Sequence, residues 1–140
     1  MTAYDNQNIF ARILAGEVPS VRVFEDERTV AIMDIMPRAD GHVLVLPRAA
    51  SRNILDIDPV DMAAVMATAQ KIARAQMTAF GADGITVQHF CEGAGGQVVF
   101  HTHVHVLPRH EGVALRPPGQ MADHDVLEAH AEKIRAALGR

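Results

Sequence analysis

Apolar and polar positions along the chain fall into blocks, and each block predicts one element. Asn8 to Ala15 predicts a short helix, stopped by Gly16 with Pro19 just beyond. Val21-Arg-Val-Phe-Glu25 alternates with the period of a strand, and Asp26-Glu-Arg-Thr29 supplies a turn. Thr29 to Ile35 predicts a second strand, ended by Asp34-Ile-Met-Pro37, because proline cannot continue a central ladder. His42 to Leu46 is a near-continuous apolar run closed by Pro47, which predicts a third strand buried on both faces. Asp58-Pro59-Val60-Asp61 is a helix start: an acidic cap, a first-turn proline and a further acid near the positive end of the dipole. That helix runs to Phe80 and stops at Gly81, with Met62, Val65, Met66, Ala69, Ile72, Ala73 and Phe80 on one stripe. Gly84 to Cys91 predicts a fourth strand, Gly93 to Gly96 a glycine-rich connection, and Gln97 to Leu107 a fifth strand. After an irregular stretch through Arg116-Pro-Pro-Gly119, a last helix over 122–138 places Leu127, Ala131, Ile134 and Leu138 on one side.

The order αβββαββ, closed by that last helix, predicts an α+β domain on an antiparallel sheet. At 140 residues the chain fits one domain, 1–140, and its 49% apolar content is ample for a core. The formal charge of −4, with no Lys/Arg block, gives no signal for a nucleic-acid or anionic-membrane partner. No apolar run approaches the roughly 20 residues that span a bilayer, and the opening residues lack the blocks of a signal peptide. A single cysteine, Cys91, rules out an internal disulfide and is compatible with a reducing cytoplasm.

The informative stretch is Phe100-His101-Thr-His103-Val-His105-Val-Leu107. Side chains i, i+2 and i+4 of a strand share a face, so His101, His103 and His105 are expected in a row about 13 Å long. Such a row suits a phosphate chain. Neutral imidazole is nucleophilic near pH 7, and a neighbouring ring can donate to phosphate or to a leaving group. Competing readings are a metal pair from His-x-His, a solvated histidine face and a pH switch. A third imidazole at i+4 is hard to bring onto one ion, and no acid or thiol lies within the strand. Gln97 falls on the same face by parity, and its amide is a candidate phosphate donor or an ordinary surface group. Gly95-Gly96 is either a hairpin turn or a close backbone approach to an anion.

The segment from Gly95 through Leu107 resembles the signature of the histidine triad family. Ile9-Phe10 through Pro19, and Ala31 through Arg48, resemble the family's opening and central segments. The resemblance covers about residues 8–119 and is closest to the nucleotide-binding, phosphoramidase-like branch. It implies a five-stranded antiparallel sheet with two main helices, paired into a homodimer with a continuous sheet. It implies that His103 is the nucleophile, that His105 holds the α-phosphate, and that His101 and His42 lie near phosphate and leaving group. Gln97 then corresponds to a phosphate contact and Asp34 to the carboxylate that binds both ribose hydroxyls. Phe10, Ile13, Val18, Ile32 and Ile35 correspond to the apolar slot for a purine. No cofactor or metal is implied, because Asp5 to Asn8 stand where some relatives carry half of a zinc site.

Two substrate-site positions depart from the pattern. Cys91 stands where an asparagine often contacts phosphate, and Val98 where a hydroxyl often follows the glutamine. The resemblance predicts hydrolysis of purine nucleoside 5′-monophosphate conjugates through a nucleotidyl-histidine. Cleavage of dinucleoside polyphosphates and nucleotide binding without turnover are the two alternatives. Arg116 resembles a C-terminal residue that reaches the partner's leaving group.

Overall fold

The computed structural model describes residues 3–139; Met1 and Thr2 of the opening segment lie outside the described residues. Its elements are α1 (Ile9–Leu14), β1 (Arg22–Glu25), β2 (Thr29–Met33), β3 (Val43–Pro47), α2 (Pro59–Phe80), β4 (Gly84–Gln88), β5 (Val104–Arg109) and α3 (His124–Ala137). The five strands form one antiparallel sheet in the order β1-β2-β3-β5-β4. The fold is the α+β, five-stranded antiparallel architecture with two main helices. Among the described residues no helix is long and apolar enough to cross a membrane.

Strand parity divides the two faces. Ala31, Met33, Val43, Val45, Val104 and Val106 point to one side, where Val65, Ala69 and Ile72 of α2 and Leu127, Ala131 and Ile134 of α3 cover them. Val30, Ile32, Leu44 and Leu46 point to the other, where Phe10 and Ile13 of α1 pack. Every residue of β2 and β3 is buried, as a strand covered on both faces requires. The α2 stripe is rotated slightly from its sequence expectation: Thr68, Ala75 and Gln76 are buried, while Met66 is exposed. Caps start the helices: Asn8 accepts from Ala11 N–H, Asp58 from Val60 N–H and Asp123 from Asp125 N–H.

Three strands are shorter than the hydrophobic pattern predicts, and the differences fall around the histidines. β2 stops at Met33 because the Asp34 carboxylate accepts the Met36 N–H at 2.8 Å and turns the chain. That turn leaves Ile35 48% exposed. β4 stops at Gln88 rather than Cys91. β5 begins at Val104 and runs to Arg109, so residues 97–103 are not ladder. They are tied to the loop 51–53 instead: Thr102 N–H donates to Ser51 C=O at 2.9 Å, their hydroxyls pair at 2.7 Å, and Gln97 reaches Arg52.

Candidate active site

His105 is the one histidine of the motif inside β5. It sits opposite Leu44, which places its ring on the α1 side of the sheet. His103 lies just before the strand, with its ring centroid 5.0 Å from that of His105 and the Phe10 ring edge-on at 4.8 Å. His42, immediately before β3, is buried, and its Nε2 lies 2.9 Å from His105 Nδ1 and 3.5 Å from Asp34 Oδ2. Sequence-distant segments thus converge on one cluster of Asp34, His42, His103 and His105.

The proton on each ring follows from its partners, because a backbone N–H only donates and a carbonyl only accepts. Arg38 N–H donates to His42 Nδ1 at 3.1 Å, so the His42 proton is on Nε2. That Nε2–H faces His105 Nδ1, so the His105 proton is on its Nε2. His103 Nδ1–H donates to His101 C=O at 2.7 Å, which leaves the His103 Nε2 lone pair unbonded among the described residues. One ring therefore offers a nucleophilic nitrogen, and its neighbour offers a donor.

Asp34, His42 and His105 also have their ligand atoms within 4.8 Å of one another, a spacing that could hold a cation. The chemistry of the set does not fit a metal. A ligating histidine normally donates its second N–H outward, whereas His42 Nδ1 accepts a backbone N–H and its Nε2 is protonated.

Burial sets the charge state. It is the largest influence on all three rings, holding His42 and His103 down to about 4 and His105 down to about 3. Neighbouring charges add to it: Arg38 and His103 act on His42, and His103 and His42 on His105. Burial raises the Asp34 carboxyl, opposed by the Met36 N–H. At neutral pH the rings are therefore uncharged. Because their folded pKa values lie below the unfolded value, acid protonates the unfolded chain first. Stability should be complete above about pH 6.5 and fall steeply as pH drops toward 4. Glu92, held down to about 2 by Arg52 and then Asn53, adds a further loss from about pH 4.5 toward 2. Urea midpoints measured from pH 8 to 2 check this; a midpoint that stays flat between pH 6.5 and 4 contradicts the histidine contribution, and one that stays flat below pH 4 contradicts that of Glu92.

Other residues from the sequence analysis occupy different roles. His101 is buried with both ring nitrogens taken: Tyr4 O–H lies 2.6 Å from Nδ1, and Nε2–H donates to Pro47 C=O at 2.9 Å. It does not join the row expected from strand parity, because the ladder starts three residues later. Gln97 is 4% exposed. Its two amide hydrogens go to Arg52 C=O and Val99 C=O, and its oxygen accepts from Asn53 and from Glu92 N–H. No Gln97 donor is left for a phosphate in this arrangement. Cys91 is a half-buried free thiol and Val98 is 83% exposed. Phe10, Ile13, Val18 and Ile32 do come together, with Val30, Leu44 and Leu46; Ile35 stands outside that group. Arg116 is tied within its own chain to Asp40 and to the carbonyl of Pro37.

Several supporting residues were not legible from the motif. Arg52 forms a two-pronged pair with Glu92, at 2.7 and 3.0 Å, and lies 4.1 Å above the Phe100 ring. Glu92 takes a positive φ of 63°, which the bonds from Arg52 and Asn53 sustain. Tyr4, Arg38 and His89 act on the histidines through single hydrogen bonds, which leave no periodic trace in a sequence.

An open antiparallel sheet with paired neutral histidines on one face and an apolar wall beside them defines a small α+β protein with a histidine-based site. Residues 15–112 match the HIT domain model, and the chain belongs to the HIT domain family. It is 51% identical to the Hit-like protein involved in cell-cycle regulation from Bartonella henselae, covering 96% of this chain and 99% of that one, with a TM-score of 0.91. It is 38% identical over 134 residues to a HIT-like protein of Mycobacterium tuberculosis, covering 94% of this chain and 93% of that protein. It is 29% identical to the adenylylsulfatase HINT3 of Arabidopsis thaliana, over 96% of this chain and 69% of that protein.

Proposed function

We propose that this protein hydrolyses purine nucleoside 5′-monophosphate conjugates of the phosphoramidate type through a nucleotidyl-His103 intermediate. The observation that carries this reading is the unbonded Nε2 of His103, a neutral buried imidazole whose other nitrogen is fixed to His101 C=O at 2.7 Å. A fixed tautomer with a free lone pair is what a phosphorus nucleophile needs. The activity of the Arabidopsis relative, named for cleavage of an adenylyl conjugate, supports the same class of chemistry.

In this mechanism His103 Nε2 attacks the α-phosphorus and the P–N bond breaks. The amine departs with its electron pair and takes a proton from solvent. His105 Nε2–H holds a phosphate oxygen as charge develops there, and His42 keeps His105 in that tautomer. Water then attacks phosphorus, the histidine N–P bond breaks, and the 5′-monophosphate and a proton are released. Asp34 accepts from the ribose hydroxyls, and Phe10, Ile13, Val18 and Ile32 flank the purine. His101 acts from behind, through the carbonyl that orients His103. Two copies pair along a sheet edge to make one continuous sheet, and the protein works in the cytoplasm.

Brief incubation with adenosine 5′-phosphoramidate, followed by rapid peptide mapping under non-acidic conditions, tests the assignment. The expected result is one nucleotidyl group on His103. Turnover with the adduct on another residue, or with no adduct at all, refutes it. Comparison with diadenosine polyphosphate, cytidine phosphoramidate and plain monophosphate binding separates the alternatives.

A further inference from the structure

His89 is the histidine nearest the cluster that the proposed chemistry leaves unused. It stands one residue beyond the end of β4, where the β4–β5 ladder has made its last pair, Gln88 with His105. The next carbonyl along, that of His103, has no strand partner. His89 supplies one: its Nδ1 lies 3.0 Å from His103 C=O. Its other nitrogen is also engaged, since Ile54 N–H donates to Nε2 at 3.1 Å. Both partners are backbone, so the tautomer is fixed: the proton is on Nδ1 and the lone pair on Nε2.

We propose that His89 is a positioning residue for the nucleophile, a two-ended clasp that replaces a missing ladder bond at His103 and ties it to the loop carrying Ile54. The proposal rests on the assignment of His103 as nucleophile. Geometry gives the reason. His103 has left the regular strand, so its φ and ψ are not set by pairing on both sides. Its ring is held by His101 C=O and its main chain by His89. Displacing that carbonyl rotates the plane from which the imidazole projects, and small misplacements of a nucleophile are costly in rate. The loop is fastened independently on its far side by Asn53 and Arg52 to Gln97 and Glu92, so the clasp closes a ring of contacts around residues 97–103.

Two variants of the full-length protein test this. In His89→Leu both hydrogen bonds are lost. In His89→Gln the amide can still donate with Nε2 and accept with Oε1. With adenosine 5′-phosphoramidate, His89→Leu should lower kcat about tenfold or more while KM changes less than about threefold, and His89→Gln should recover most of the loss. Amide exchange at Ile54, followed by NMR, should be slow in the wild type and in His89→Gln and at least about tenfold faster in His89→Leu. Equal Ile54 exchange in wild type and His89→Leu overturns the clasp. Equal kcat in those two proteins, with the adduct mapped to His103, overturns the positioning role. Failure of the wild type to form any adduct sinks the functional reading instead, and the exchange measurement then decides the clasp by itself.

Discussion

Replacing His103 by alanine should lower kcat for adenosine 5′-phosphoramidate by on the order of 10⁴-fold or more, while the affinity for AMP changes less than about tenfold. His103 is 7% exposed, and the same burial that keeps it neutral excludes water from its approach. Alanine removes the only ring in the cluster with a free lone pair; His105 presents a donor, and His42 is occupied at both nitrogens. Neither neighbour can take over attack without breaking a hydrogen bond in a buried site. The groups expected to bind nucleotide, Asp34 and the Phe10 to Ile32 wall, lie on other elements and stay in place. Steady-state kinetics and calorimetric titration with AMP measure the two quantities. Turnover in the variant within tenfold of wild type would remove His103 from the mechanism.

The second large effect concerns stability. Gly41 has φ +82°, a left-handed backbone, and a Cβ built on it would lie 2.3 Å from Phe80 Cε2 and 2.6 Å from Cζ. Gly41→Ala should therefore cost about 3 kcal/mol, combining left-handed strain of about 1–2 kcal/mol with overpacking of about 1–3 kcal/mol. For a chain of this size that corresponds to a melting temperature about 10 °C lower. Gly16→Ala is the control: φ is +80° but nothing lies within 4 Å, so only the strain component, about 1 kcal/mol, is expected. Thermal melts of the two variants separate strain from overlap. Equal losses would show that Phe80 moves aside freely. Activity should fall as well in Gly41→Ala, since Gly41 immediately precedes His42 and its carbonyl is held by the buried Gln76 amide at 2.9 Å.

Much of the architecture was legible before any coordinates. The Asp58 cap and the stop at Gly81 are local signals, and α2 begins and ends where those signals stand. The unbroken apolar run of β3 marks a strand covered on both faces, and it is the middle of the five. His103 and His105 stand out by type and spacing and His42 through the family resemblance, and the three meet.

Strand ends depart from the hydrophobic pattern around the histidines. Residues 97–103 carry a strand-like composition, yet Thr102 and Gln97 bond to the loop 51–53, a partner far away in sequence. Parity therefore failed for His101 and Gln97, which became buried braces rather than members of a row. Ile35 was lost from the apolar wall because one Asx turn at Asp34 ended β2 early.

The sequence by itself determined the helices, the sheet, the two-faced burial of β3 and the residue types available for chemistry, because these depend on periodicity and on neighbours a few positions apart. The tertiary structure alone decided which nitrogen of each histidine carries its proton. That choice depends on whether a backbone N–H or a carbonyl stands opposite each ring, and the groups that do so for His89 and His101 come from segments brought close only by folding.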